Sequence, residues 1–207
     1  MDTKLTGKTR IESDLIGARE IPAEALYGVQ TLRGIENFSI SKFRLSEYPL
    51  FIKGLAITKM AAAMANFELG LLTVEQKDAI IAACGEILDG KHHDQFPVDM
   101  IQGGAGTTTN MNANEVIANR ALELMGHERG EYQYCSPNDH VNCSQSTNDA
   151  YPTAIHIGMY FKHLQLLPHL EELIASFRKK GEEFSQIIKM GRTQLEDAVP
   201  MTLGQTF

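Results

Sequence analysis

The sequence contains no tryptophan, and aromatic residues make up only 7% of it. Its core must therefore be built from aliphatic side chains, with nine methionines as adaptable fillers. Cysteine is scarce as well. Cys84, Cys135 and Cys143 are odd in number and form no CxxC pair, so neither a disulfide framework nor a zinc site is indicated. Cys143 could be a nucleophile, but no base is placed beside it and a passive thiol is the preferred reading. Basic residues are the minority charge, 19 against 26 acidic ones for a net charge of −7, which argues against nonspecific binding to polyanions. Nucleic acid is not an expected partner. Long apolar runs are missing: the richest window, "LAITKMAAAMANFELGLL", is broken by Lys59 and Glu68, so no membrane span is expected. The opening segment "MDTKLTGKTRIESD" lacks the apolar core of a secretory signal, and a cytoplasmic location is expected.

What is present is mostly helical periodicity. Residues 1–45 are mixed and turn-rich and read as an arm that stays outside the core. From about 49 to 72, Phe51, Leu55, Ile57, Met60, Met64 and Phe67 fit one helical face, with Gly70 as the stop. Thr73, followed by Glu75 and Gln76, starts a second helix whose stripe of Val74, Ala79, Ile80, Ala83, Ile87 and Leu88 ends at Gly90. His92 and His93 in the following connector are adjacent and point apart on most backbones, so exposed loop residues are preferred over metal ligands. Met111 to Met125 reads as a third helix. From Pro152 onward, Ile155, Met159, Leu166, Leu170, Leu173, Ile174, Phe177, Phe184 and Ile187 keep three- and four-residue steps over an unusually long span, which Pro168 should bend and Gly181 weaken.

A helix of that length cannot cover its own stripe and requires partner helices, so self-association is expected. The fold class expected is mainly all-α: a mixed, mostly helical N-terminal domain over residues 1–142, then the beginning of a long-helix bundle domain over 143–207. Pro200 stands where a further helix should begin, and only seven residues follow it, which suggests a truncated chain.

Three polar segments are candidates for chemistry. In "GGAGTTTNMNANE", residues 103–115, glycines allow close backbone approach, while Thr107, Thr108, Thr109, Asn110, Asn112 and Asn114 offer donors at a helix N-terminus that favours an anion. The alternative is a plain capped helix start with Thr or Asn as the cap. No Lys follows the glycines, which excludes a GxxxxGK[ST] phosphate loop. In "VNCSQSTNDAYPT", residues 141–153, Asn148 or Asp149 alone would suffice as a cap, and the surplus of short donors is the clue. Solvated turn polarity is the competing explanation. In "GRTQLEDAVP", residues 191–200, Arg192, Thr193 and Gln194 form a compact donor set, and Arg192 is read first as an ion-pair partner of Glu196 or Asp197 rather than as a substrate clamp.

Together these segments resemble conserved regions of the fumarase and aspartase superfamily. The likeness runs through "RIESDLIGAREIPAEALYGVQTLRGIENF", "DQFPVDMIQGGAGTTTNMNANEVIANRALELMGHERGEYQY", "NDHVNCSQSTNDAYPT" and "MGRTQLEDAVPMTLGQ", and is similar in wording to the aspartase branch. The resemblance implies a homotetramer of mostly helical subunits around a central helix bundle, with each active site drawing on three subunits. It implies a small dicarboxylate substrate, L-aspartate converted reversibly to fumarate and ammonia; no cofactor and no metal ligand is assigned among these residues. Carried over, Thr107, Ser146 and Thr147 are expected to donate to the substrate β-carboxylate, where charge accumulates as the Cβ proton leaves and an aci-carboxylate forms. Asn148 and Gln194 are expected to contact the amino group, and Thr193 the α-carboxylate.

Fumarases usually have His where Gln194 stands, and a glutamine amide can orient an ammonium but is a poor base. That favours ammonia loss; a class II fumarase is the alternative within the superfamily, and a non-catalytic helical assembly module is the alternative outside it. The family's catalytic serine loop and its GSSxMPxKxNP signature are not in these 207 residues. The base is expected downstream of Phe207, no catalytic residue is assigned within the chain, and the chain alone is expected to be inactive. Thr108, Thr109 and Thr206 depart from common aspartase wording. His140, His156, His163 and His169 lack ligand spacing and are read as surface residues.

Overall fold

The computed structural model describes residues 7–207 and contains, in order, strands β1 (Thr9–Asp14) and β2 (Gly17–Pro22), helices α1 (Val29–Asn37), α2 (Pro49–Glu68), α3 (Val74–Leu88), α4 (Thr107–Leu124) and α5 (Thr147–Glu183), and strands β3 (Ile188–Thr193) and β4 (Glu196–Thr202). The mainly helical expectation holds. Two compact units are present, one ending at Met159 and one running from Tyr160 to Phe207, and the division falls within α5. The reading of the N-terminus as free of a secretory signal rests in part on residues 1–6, which lie outside the described residues.

In the first unit α4 is the central element, packed against α1, α2 and α3. Ala113, Val116, Ile117, Ala118, Ala121 and Leu122 are all fully buried there, and Ile52, Leu55, Ile80, Ala83, Cys84 and Ile87 of α2 and α3 meet them in one core. Three alanines, Ala113, Ala118 and Ala121, share the buried face of α4 with Val116, Ile117 and Leu122, so small and large side chains alternate in the packed core. The start of α3 matches its sequence signature: Thr73 Oγ1 accepts from the Gln76 amide at 3.2 Å and Gln76 Oε1 accepts from the Thr73 amide at 3.1 Å, a reciprocal capping box.

Three expectations fail here. Among the described residues, 7–45 are not a peripheral arm: β1 and β2 pair antiparallel, and Ile21, Leu26, Val29 and Leu45 are buried. Polar anchors made over long range accompany this apolar burial, and local periodicity misses them. Glu115 of α4, itself buried, accepts from the amides of Gly28, Gln30 and Thr31 and from the Thr31 hydroxyl at 2.6–3.0 Å, so a carboxylate from one helix caps another whose own N-cap is a glycine. Arg10 adds a second set, reaching Glu12 and the carbonyls of Ala25 and Tyr27 at 2.6–2.9 Å.

The face assigned to α2 holds in its first half, where Phe51 and Leu55 are buried and Met60 packs against the core, and fails in its second. Met64 and Phe67 are 50% and 37% exposed, whereas Lys59 and Asn66 are buried alongside Leu55 and Ala63. A helix apolar nearly all round does not announce which side turns inward. Among the described residues α2 is the one helix long and apolar enough to cross a membrane, and one face of it, with a lysine among its residues, lies in the core. The third failure is Pro200, which starts no helix. It lies inside β4 opposite Met190, in an antiparallel hairpin with β3. A two-stranded ribbon has two edges, so a proline without an N–H is tolerated.

The first turns of α5 are seated on α2 through small residues. A Cβ on Gly54 would overlap the carbonyl of Ala154, and one on Gly158 would come within 3.0–3.2 Å of the backbone at Leu50 and Phe51. Gly54→Ala should therefore destabilise the fold by about 1–3 kcal/mol, the usual cost of overpacking a rigid backbone contact, read from the midpoint and slope of urea unfolding. Farther along α5, in the second unit, Leu164, Leu166, Leu170, Leu173, Ile174 and Phe177 are 42–51% exposed, so the apolar stripe read from the sequence is solvent-facing in the isolated chain.

Candidate functional site

Two helix N-termini meet in the first unit, those of α4 and α5. The loop before α4 begins at Asp99, whose carboxylate accepts from the amides of Ile40, Ser41 and Ile101 and from the Ser41 hydroxyl at 2.7–3.0 Å. The hydrogen bond from the Ile101 amide is foremost in holding Asp99 below the usual carboxylate range. The glycine segment then turns into α4 at Gly106, which has φ +90 and lies under the ring of Tyr151. Only glycine combines that conformation with that approach. Tyr151 in turn packs edge-on to Phe51, with ring centroids 5.4 Å apart. An open cleft of about 600 Å³ results, lined by Met100, Ile101, Gln102, Gly104, Ala105, Gly106, Asn148, Tyr151 and Pro152.

The capping alternative can now be judged at both helices. At α4 no threonine or asparagine caps. The N-cap is Gly106, and the helix begins at Thr107, four residues before the expected Met111. The capping is supplied from outside by Gln102, whose Oε1 accepts from the Thr109 amide at 3.0 Å and whose Nε2 donates to the Thr109 hydroxyl. Thr107 is left exposed in the first turn with no capping duty. At α5 the cap is Ser146, not Asn148 or Asp149: its Oγ accepts from the Asn148 amide at 3.2 Å. Thr147 Oγ1 accepts from Asn110 Nδ2 at 3.1 Å. Each of these hydroxyls has a lone pair engaged and its own proton still to give. Exposed Asn148 lines the cleft.

Beneath them lies Lys59, which in the sequence is only an interruption of an apolar window. Lys59 is fully buried, and its Nζ donates to Asn110 Oδ1 at 2.7 Å, Asn142 Oδ1 at 2.9 Å and Gln145 Oε1 at 3.0 Å. Among the described residues it has no carboxylate partner. Burial pushes Lys59 down to about 7, while three neutral acceptors match the three donors of the ammonium. The polar surplus of residues 142–149 thus has two components: Asn142 and Gln145 face inward to Lys59, and Ser146, Thr147 and Asn148 line the helix start.

The remaining candidates, Thr193 and Gln194, belong to the second unit. They sit at the tip of the β3–β4 hairpin, where Gln194 and Leu195 form a two-residue loop, both with positive φ, as a type I′ turn requires. Both candidates are exposed. Arg192 makes the expected ion pair, with Asp197 at 3.3 Å on an exposed surface. His92 and His93 are taken up locally, by Glu86 and by the Ile87 carbonyl, each at 2.9 Å. Cys143 lies 3.7 Å from Ser144 Oγ.

A protein-family model described as Lyase_1, lyase, matches residues 17–207. The chain belongs to the lyase family. Among lyases, it is 61% identical over 198 residues to aspartate ammonia-lyase of Pseudomonas canavaninivorans, covering 96% of this chain and 42% of that protein. It is 58% identical over 204 residues to aspartate ammonia-lyase of Escherichia coli strain K12, covering 98% of this chain and 43% of that protein. Solved lyase structures agree in fold. The fumarate lyase:delta crystallin from Brucella melitensis bound to cobalt superposes with a TM-score of 0.91 at 54% identity over 96% of this chain and 43% of its own. Recombinant class II fumarase from Schistosoma mansoni gives 0.86 at 39% identity, over 96% of this chain and 42% of its own. The chain therefore spans less than half the length of the lyases it matches.

Proposed function

We propose that this lyase chain serves the reversible deamination of L-aspartate to fumarate and ammonia. The observation that carries the reading is the identity gradient: 58–61% to proteins named aspartate ammonia-lyase, against 39% to a class II fumarase, with 96–98% of this chain covered in each case. The geometry is compatible with it. Ser146 and Thr147, with accepting positions already engaged, have protons available for a carboxylate, and Thr107 and the dipoles of two helix N-termini add to the same sign of potential.

In this reading the β-carboxylate of aspartate is held at Thr107, Ser146 and Thr147. Loss of the Cβ proton places a second negative charge on that carboxylate as an aci-carboxylate; the electron pair then forms the carbon–carbon double bond while the carbon–nitrogen bond breaks and ammonia leaves. Fixed donors aimed where that charge develops favour the intermediate over the bound substrate. Asn148 and Gln194 are assigned to the amino group and Thr193 to the α-carboxylate. The proton acceptor is assigned to none of the residues described, and the chain alone is proposed to be inactive. Self-association through the exposed stripe of α5, as a homotetramer in a lyase of full length, is proposed as the means of completing the site.

The test is substrate preference in a lyase of its relatives' length carrying this segment. Fumarate absorbance should rise with aspartate at least 100-fold faster than with malate. Equal or reversed rates would show a fumarase, and no turnover of either would favour a helical assembly module.

A further inference from the structure

The geometry points to Lys59 as a positioning residue for this site: through Asn110 it turns the Thr147 hydroxyl proton outward toward the substrate. The inference rests on the lyase reading above and adds a residue that touches no substrate. Its basis is a hydrogen-bond network in which every amide has one permitted orientation.

Below about pH 7 Lys59 is an ammonium, with three N–H donors and no acceptor, so each amide facing it must present its oxygen. Asn110, Asn142 and Gln145 do so at 2.7–3.0 Å. With the oxygens pinned, the NH₂ groups have to point elsewhere, and each finds an acceptor. Gln145 Nε2 donates to the Val141 carbonyl at 2.8 Å, and Asn142 Nδ2 to the Gln145 carbonyl at 3.1 Å. Asn110 Nδ2 donates to Asn142 Oδ1 at 3.0 Å and to Thr147 Oγ1 at 3.1 Å. A flipped Asn110 would set its NH₂ against the ammonium and its oxygen against Thr147, and the threonine proton would turn inward to meet it. The lysine forbids that arrangement. It thereby converts a rotatable hydroxyl into an oriented donor before any ligand arrives, which is the preorganisation that electrostatic catalysis demands.

The bland alternative is that a buried lysine with three partners merely holds α2, α4 and the 142–145 segment together. Asn110→Asp separates the two. The aspartate keeps the size of the side chain and gives Lys59 a counter-charge, while its second oxygen replaces the NH₂ that donated to Asn142 Oδ1 and Thr147 Oγ1: it takes the threonine proton inward and opposes the Asn142 oxygen, so urea unfolding of the variant is measured beside its kinetics. In the full-length lyase carrying this segment, Asn110→Asp is expected to lower kcat/KM for aspartate about 100-fold. In a Thr147→Val background the cost of the same change should shrink by at least about tenfold, because no hydroxyl remains to be turned and only the repulsion between the added carboxylate and the substrate is left. Lys59→Met should behave likewise, with a large loss alone and little loss on top of Thr147→Val.

Losses that multiply independently of Thr147, or an Asn110→Asp enzyme that folds and keeps its kcat/KM, would overturn the role. Should Lys59→Met fail to fold, the Asn110→Asp cycle decides by itself. Turnover by the unsubstituted enzyme is the control: its absence refutes the lyase reading, whereas normal turnover with independent losses refutes only the role of Lys59.

Discussion

Replacing Thr147 by valine in the full-length lyase should reduce kcat/KM for aspartate by about 10²–10³, with most of the loss in kcat. Valine matches threonine in shape, so the change removes one donor together with one of the two acceptors of Asn110 Nδ2, which keeps Asn142 Oδ1 as its partner. Deleting a single preorganised donor to a developing oxyanion typically costs that factor, and it appears in kcat when the interaction strengthens between bound substrate and intermediate. Thr147 is suited to this because its accepting side is filled by Asn110 Nδ2 at 3.1 Å, whereas Ser146 also caps the helix. Ser146→Ala should consequently combine a rate loss with a stability loss of about 1 kcal/mol from the missing cap. Steady-state kinetics beside urea unfolding of the same variants separates the two. A Thr147→Val enzyme within threefold of the parent would show that the hydroxyl does not meet developing charge.

The largest structural effect is expected at Glu115. Its carboxylate is 1% exposed and accepts four hydrogen bonds from Gly28, Gln30 and Thr31, which gives α1 the cap that Gly28 cannot supply. Burial is the foremost influence on this group and raises its proton affinity, while the donors from Thr31, Gln30 and Gly28 work in the opposite direction. Glu115→Ala leaves three amides and a hydroxyl without a partner in a dry site and should destabilise the first unit by about 3–5 kcal/mol. Glu115→Gln keeps the volume and one acceptor oxygen, and should cost roughly half as much. Equilibrium urea unfolding measures both. Equal stability of Glu115→Ala and the parent would mean that β1, β2 and α1 dock without that anchor.

What the sequence disclosed and what it concealed follow from the range of the interactions involved. The cap of α3 is legible because Thr73 and Gln76 satisfy one another within one turn. The long stripe of α5 is legible because periodicity is local. The two donor-rich segments stand out because they hold more short polar side chains than capping consumes, and at α4 the structure shows the capping done by Gln102 instead. The concealed features are long-range. Glu115 reaches a segment 84–87 residues away, and Lys59 joins residues 51, 83 and 86 positions distant. No local pattern marks either, and a lysine in an alanine-rich helix looks like a break in apolarity until its three acceptors are seen. Pro200 misleads for the complementary reason: proline starts helices often, but it also fits an exposed ribbon edge, and only the pairing with Met190 decides.

The central claim is that the hydroxyls at the starts of α4 and α5 hold a dicarboxylate where its charge grows. The most direct measurement is a crystal structure of the full-length lyase carrying this segment, with an unreactive four-carbon dicarboxylate mimic bound. The account predicts one carboxylate of the mimic at about 2.7–3.1 Å from the hydroxyls of Thr107, Ser146 and Thr147. A mimic bound with both carboxylates beyond hydrogen-bonding reach of all three hydroxyls would contradict it.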